Sequence, residues 1–328
     1  MSPPTPYAPR PQYLVPVPRV LDLPTLRPGD RVQDTFLVLD AEQKRHPGGA
    51  YTVLTFGNAT GRLSSAPFWA EDLPFVEGIR KGHVVQVIGE VQEYKGHAQL
   101  RVTAPLRLLP EGSVDLARLL PSVGDVTRYW EALDGWRREM RQERLVRVVS
   151  LFYDDDDFRR RYERCPASVS GHHAALGGLL KHTVEVAAIA RVIARVCGAD
   201  QDLVLAGVLL HDIGKLESYR WDGAFDYTDA HYLVGHVVLG SLMLERRLAG
   251  ESQASCTDAE RAALHHLILS HHGRKEFGSP VVPATLEAEA LHWADNASAH
   301  TASMADALRS AESFGTRLRR TKASNRDV

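Results

Sequence analysis

The sequence predicts a chain of two parts, a small antiparallel β-barrel followed by an all-α bundle, and three observations predict it. Short β-like runs separated by glycine-bearing turns occupy residues 26–110, whereas from Asp125 onward apolar residues recur at helical spacing. Twelve of the 15 histidines fall between His172 and His300, inside the helical part. One helical stretch, residues 203–210, is apolar on every side and ends on His211-Asp212. An imidazole and a carboxylate at the end of a buried helix cost free energy unless they are paired or hold a metal.

The elements follow in order. Residues 1–25 form a lead-in with eight prolines, expected to be extended rather than packed. Five strands are predicted over residues 31–40, 51–56, 62–69, 84–94 and 97–103, with a short helix or loop over 71–81 between the third and fourth. Five strands with that insertion fit an OB-fold, a barrel used for oligonucleotides. Tyr51, Phe56, Phe68, Trp69, Tyr94, Lys95 and Arg101 are its candidates for base stacking and phosphate contact, with barrel core as the competing role for the aromatics. Residues 111–124 read as a linker and 125–312 as the helical domain. Within it, helices are expected over 127–149, 175–196, from Asp202 to His211, over 231–248, and over 284–308. Thr257 and Glu260 form a capping box opening a further helix that runs to His271-His272-Gly273. The run Asp154-Asp155-Asp156-Asp157 suits the solvated first turn of a helix, where acids are favoured. Residues 313–328 form a basic tail.

Composition narrows the class. A formal net charge of −2 excludes a chain-wide basic surface, so any nucleic-acid contact must be local. Cys165, Cys197 and Cys256 lie far apart without a CxxC pair, which argues against a disulfide framework or zinc knuckle and suits a reducing compartment. The N-terminus lacks the charged-then-apolar design of a secretion signal, and no apolar run is long enough for a bilayer. A soluble cytoplasmic protein with no membrane partner is expected.

Along successive helical segments the order is His182, His211-Asp212, His236, His271-His272 and Asp295. Any one of these histidines alone reads as a satisfied core residue, but the ordered set implies metal, because an unmetallated cluster would leave several buried polar groups to satisfy. Imidazole and carboxylate donors without thiolate suit Mn²⁺, Fe²⁺, Zn²⁺ or Mg²⁺. One ion would take His182, His211, Asp212 and Asp295; a second would take the other oxygen of Asp212 with His236 and His271. Two such ions can activate water and clamp the attacking and leaving oxygens of a phosphoester. Lys215, one turn after His211, is either a phosphate-reaching charge or a surface lysine at a helix end. His265 and His266 are read as structural.

The segment His211-Asp212-Ile213-Gly214-Lys215, with His182 before it and Asp295 after it, resembles the HD superfamily of metal-dependent phosphohydrolases. The likeness extends further. Cys165-Pro166-Ala167, Gly171-His172-His173-Ala174, Gly177-Gly178-Leu179-Leu180-Lys181-His182-Thr183, Leu269-Ser270-His271-His272-Gly273, Gly278-Ser279-Pro280 and Glu289-Ala290-Leu291-His292-Trp293-Ala294-Asp295 resemble the YhaM-type 3′→5′ exoribonucleases. Asn58-Ala59-Thr60-Gly61 and Tyr94-Lys95-Gly96-His97-Ala98-Gln99-Leu100 are similar to the OB part of the same family, which joins an N-terminal OB-fold to a C-terminal HD domain. The resemblance covers about residues 26–310.

It implies His182, His211, Asp212 and Asp295 as core ligands of divalent metal, Mn²⁺ first and Co²⁺ among the alternatives. His236 and His271, or His272 in its place, would serve a second ion. It also brings His172 and His173 forward as contacts to the scissile phosphate or leaving group, against a capping or packing role. Asp212 and Lys215 complete the catalytic candidates. Lys181 departs from the family, which usually has an acid there, and the turn over residues 44–50 is individual.

The implied activity is hydrolysis of single-stranded RNA, and of DNA as a further substrate, from the 3′ end to nucleoside 5′-monophosphates. Sheltering that end in a shared channel would favour a homo-oligomer. An HD phosphohydrolase of free nucleotides (dNTP, cyclic nucleotide or alarmone) is the alternative, disfavoured because such an enzyme has little use for a strand-binding barrel. A non-catalytic single-strand binding protein is the third, disfavoured by the complete ligand set.

Overall fold

The computed structural model describes residues 21–309 except 48, 111, 172, 253 and 254, with the backbone alone of Ser313–Phe314 and Leu318–Arg319, which pair as short strands. His172, most of the proline-rich lead-in and most of the basic tail lie outside the described residues.

Six strands form the first part: β1 (Arg31–His46), β2 (Gly49–Asn58), β3 (Gly61–Ser64), β4 (Val84–Tyr94), β5 (His97–Val102) and β6 (Arg107–Leu108). They are antiparallel in the order β3-β2-β1-β4-β5, with β6 on β4. Ser65 bridges Leu100, and Ala66 N–H donates to the Leu100 carbonyl at 2.8 Å, so the sheet nearly closes on itself as the predicted OB-like barrel. The predicted third strand divides there: the Ser65 N–H donates to the Leu54 carbonyl of β2 at 2.7 Å while Ser65 bridges Leu100 of β5, and Phe68 pairs again with Thr52 of β2. β1 is longer than predicted because it serves two neighbours: residues 31–37 pair with β4 and 37–46 with β2, across a bulge at Leu39.

β4 alternates buried Val85, Val87 and Val91 with exposed neighbours, the pattern of a strand with one face covered. β1 does not alternate. Phe36 and Val38 fill the barrel, but Leu37 between them is also fully buried, on the opposite side. There it packs with Leu119, Leu120, Ala174, Leu176 and Phe225, a small core joining the barrel to the helical part. Lys81 adds an ion pair to Asp226 across the same junction, 3.1 Å.

The helical part comprises α1 (Thr127–Glu139), α2 (Glu143–Tyr153), α3 (Asp156–Tyr162), α4 (Gly178–Cys197), α5 (Gln201–Leu210), α6 (Lys215–Ser218), the hairpin β7 (Tyr219–Arg220) and β8 (Asp226–Tyr227), then α7 (Asp229–Leu233), α8 (His236–Ala249), α9 (Asp258–Ser270) and α10 (Leu286–Arg309). α5 is the central rod: every side chain from Val204 to Leu210 is buried, and the helix packs on α2, α4, α9 and α10. Two predicted single helices are each broken in two. The 127–149 helix stops at Met140 because Asp202 Oδ2 accepts from the N–H groups of Arg141 and Gln142 at 2.6 and 2.7 Å. The 231–248 helix breaks at Gly235, whose φ of +82° reorients the chain ahead of His236. Asp155 caps α3 and pairs with Arg247, so the acidic run serves a helix start. Thr257 and Glu260 make the expected capping box.

Gly214 owes its place to packing. Its φ is −64°, open to any residue, yet a Cβ there would lie 2.0 Å from the His236 carbonyl oxygen and 2.4 Å from the Gly240 nitrogen. The absence of a side chain lets the start of α8 close onto the turn that follows His211-Asp212. Gly214→Ala should therefore lose more than the ~1–3 kcal/mol of ordinary overpacking, because backbone must move, and denaturant titration will measure it.

Glu260 is held at about 2 against its ordinary 4.5 by the Arg144 guanidinium and then by the Thr257 N–H. A lowered carboxylate stabilises above its unfolded value, so this contribution should fade as pH drops from about 4.5 to about 2. Glu260→Gln should accordingly narrow its stability gap to wild type across that window, measured by denaturation at stepped pH.

Candidate metal centre

The helices bring the predicted stations to one buried point. α4 contributes His182 one turn from its start; the end of α5 contributes His211 and Asp212; α8 begins with His236; α9 ends on His271 and His272; α10 contributes Asp295 from its middle. Asp212 lies at the centre. Its Oδ2 is 3.2 Å from His211 Nε2 and 3.6 Å from His182 Nε2, while its Oδ1 is 3.4 Å from His236 Nε2 and 3.7 Å from His271 Nε2. Asp295 Oδ1 stands 3.0 Å from His182 Nε2. The donor atoms thus form two groups, His182/His211/Asp295 and His236/His271/His272, with one oxygen of Asp212 turned toward each.

The imidazoles are held in one tautomer. Nδ1–H donates to the Val208 carbonyl from His211 at 2.6 Å, to Ile268 from His271 at 2.7 Å and to Phe277 from His272 at 2.7 Å. A carbonyl only accepts, so the proton sits on Nδ1 and the other nitrogen faces the centre. Burial, against the attraction of nearby carboxylates, lowers the pKa of His182 and His236, and with His272 beside it lowers His271 to about 3. Neutral rings so oriented present lone pairs to carboxylate oxygens. Two acceptors facing each other at these distances repel unless a cation stands between them. His211 Nε2, His236 Nε2, His271 Nε2 and Asp212 Oδ1 are all buried without a hydrogen-bond partner, which is what a donor set fitted to cations looks like. His211 differs: burial opposes its charge, but Asp212 prevails and raises its pKa.

Lys215 is neither a surface lysine nor a free arm. It is buried, and Nζ donates to Asp212 Oδ2 at 2.5 Å. Burial disfavours its charge, yet Asp212 overrides that and raises its pKa; Asp212 in turn, resisting burial, is held well below the carboxylate range by Lys215 and His211. Two carboxylates, one ammonium and the His211 ring drawn toward its charged form thus share one buried pocket.

A second layer was missed by sequence reading. His182 Nδ1 lies 3.1 Å from Ser298 Oγ, and the Ser298 hydroxyl donates to Glu185 Oε2 at 2.9 Å. The same carboxylate accepts from His173 Nε2 at 2.7 Å, so His173 is linked to His182 through Glu185 and Ser298. The missed signal was spacing: Glu185 follows His182, and Ser298 follows Asp295, by three residues, one turn along the same helix face. His265 pairs with Glu245 and Ser241, and His266 accepts from the Ala284 N–H, as structural histidines do.

The barrel candidates separate. Phe56 (0 % exposed) and Phe68 (4 %) are barrel core and cannot stack on a strand, which corrects the expectation for both. The cause is register, since both side chains point inward with Phe36 and Leu54. Tyr51 packs its ring on Trp69 at 4.8 Å, with His46 edge-on to Trp69. Trp69 and Arg101 line one cleft; Arg62, Tyr94 and Lys95 line another, with Lys95 over the ring of Tyr94, itself 58 % exposed.

Comparison with known proteins places this geometry. Residues 179–300 match the HD domain family. The chain is 30% identical to the 3′-5′ exoribonuclease YhaM of Bacillus subtilis, over 69% of this chain and 71% of that protein. It is 31% identical to the protein of the same name from Bacillus velezensis over the same shares, and 28% identical to that of Listeria welshimeri over 76% and 78%.

If both groups take cations, Mn²⁺ added to chelator-treated protein should raise Tm. The gain is about 2.7 kcal/mol per site at a hundredfold excess over Kd. Ser298→Ala, which leaves His182 Nδ1 without that hydroxyl, should weaken metal affinity about 10- to 100-fold by calorimetric titration.

Proposed function

Because this chain belongs to the YhaM 3′→5′ exoribonuclease family, we propose that it is a metal-dependent 3′→5′ exonuclease acting on single-stranded RNA and releasing nucleoside 5′-monophosphates. The observation that carries this reading is the double-sided Asp212, whose oxygens address two separate groups of imidazole nitrogens. Divalent cations bound there supply activation of water and a clamp on the attacking and leaving oxygens of the phosphodiester. We assign His182, His211 and Asp295 with Asp212 Oδ2 to one ion, and His236, His271 and His272 with Asp212 Oδ1 to the other, Mn²⁺ being the expected metal.

The chain's own residues then have separable duties. Asp212 would hold both ions through its two oxygens, and Lys215 fixes that carboxylate and balances part of its charge. Glu185 and Ser298 keep the His182 ring turned to the centre, and His173 ties the preceding loop to them. On the barrel, Arg62, Tyr94 and Lys95, and separately Trp69 and Arg101, offer cationic and aromatic contacts that grip a strand without reading sequence. We therefore take residues 26–110 as the gripping part and 125–312 as the cutting part, with single-stranded DNA as a second substrate and the dispersed cysteines suited to a reducing cytoplasm. A homo-oligomer sheltering the 3′ end belongs to the same proposal.

The test is direct. End-labelled single-stranded RNA and DNA and free nucleotides are incubated with Mn²⁺ and protein. A ladder growing from the 3′ end is expected; nucleotide hydrolysis without a ladder, or retention of RNA without hydrolysis, overturns the reading. Asp212→Ala should abolish cleavage while RNA retention in a filter assay stays within about twofold, since one carboxylate in the pocket adds nothing to barrel stacking.

A further inference from the structure

We propose that the segment between Lys215 and His236 carries an aromatic platform, with Tyr232 at its exposed edge, that stacks a nucleobase near the 3′ end of the substrate; this rests on the exonuclease reading above. The segment holds four aromatic rings in mutual contact. Tyr227 and His231 are stacked, centroids 3.9 Å apart at 17°, and Tyr219 flanks both at 5.4 and 5.9 Å. Tyr232 stands edge-on to that stack, 5.7 Å from Tyr227 and 5.6 Å from His231.

The platform is anchored on its inner side and bare on its outer side. Thr228 fixes it, its N–H donating to the Ser218 carbonyl at 2.9 Å and its hydroxyl to Glu217 at 2.7 Å. Tyr232 is nevertheless 71 % exposed and Leu233 82 %. Large apolar side chains left adjacent and bare on an anchored turn mark a contact surface.

Its position identifies the partner. Tyr232 precedes His236 by four residues, so the two Cα atoms are within ~14 Å even for extended chain. At the other end, Tyr219 follows Lys215, the ion-pair partner of Asp212, by four residues. An aromatic surface joined through four residues at each end to Lys215 and His236 lies within reach of whatever occupies the centre. For a phosphodiester substrate that is a nucleobase. Stacking is also the contact suited to an enzyme that must accept every base in turn, since every base has a π-face. His231 Nδ1 lies inside this cluster, buried without a hydrogen-bond partner.

The experiment compares two oligoribonucleotides with the Mn²⁺-loaded 328-residue chain, one ordinary and one whose two 3′-terminal nucleotides lack bases. Removal of the terminal nucleotide gives KM and kcat. Tyr232→Ala should raise KM about tenfold on the ordinary strand, with kcat within about twofold, and leave KM on the abasic strand unchanged. Tyr232→Trp should restore the ordinary KM. An unchanged KM, an equal rise on both strands, or no rescue by Trp overturns the proposal. So does a change in oligomeric mass by light scattering with both KM values unchanged, which would assign the surface to a second copy. If wild-type protein cuts neither strand, the exonuclease reading fails by itself, and fluorescence-anisotropy Kd values for the same pair still decide whether Tyr232 stacks a base.

Discussion

The burial of one carboxylate governs this structure. Asp212 sits at the end of a helix with no solvent-facing side, where an ionised group is stable only among partners that favour its charge. Lys215 supplies one, bonding a single oxygen. The remaining acceptor capacity faces four imidazole nitrogens delivered by four different elements. α4, α8, α9 and α10 must all end or pass at that point, and the packing around α5 is what allows it.

The rigidity of the surroundings follows from the same constraint. Ring nitrogens pointing away from Asp212 are bonded to carbonyls close by in sequence, Val208 for His211 and Ile268 for His271, so each ring is oriented by its own helix end. His182, inside the first turns of α4 rather than at a helix C-terminus, pairs instead with Ser298 of α10, which Glu185 of α4 holds. Helix ends have spare acceptors and helix interiors do not. Gly214 completes the arrangement by letting α8 approach closely enough for His236 to reach the second oxygen.

What could be read from the sequence was what local patterning encodes. The alternation of β4, the all-round apolarity of α5, the Thr257–Glu260 box and the succession of histidines along helices depend on neighbours in sequence, and each has its counterpart in the fold. Features set by distant partners were not legible. The break at Met140 is imposed by Asp202, some sixty residues away, in a stretch with neither proline nor glycine at the break. Which aromatics of the barrel face inward depends on closure, and closure buries Phe56 and Phe68. The bulge at Leu39 and the second buried face of β1 arise because another part of the molecule covers it. Lys215 reads either as a phosphate-reaching charge or as a helix-end lysine until its partner is known to be three residues back on a buried turn.

The small core around Leu37 has a consequence for what the enzyme leaves behind. Leu37 of the barrel packs against Leu119, Leu120 and Phe225, and against Ala174 and Leu176 on the loop that carries His173, so barrel and catalytic bundle share a stiff joint. If, as proposed, the barrel and the metal centre both hold the strand, two grips at a fixed separation would act as a gauge. A strand long enough to touch both is held at two places, and each nucleotide removed is replaced by drawing the strand forward. Once the remnant is shorter than the gap, one grip is lost and affinity falls abruptly. On that proposed function, the shared core would give digestion a characteristic end-product length, set by the spacing between domains rather than by the chemistry of the cut.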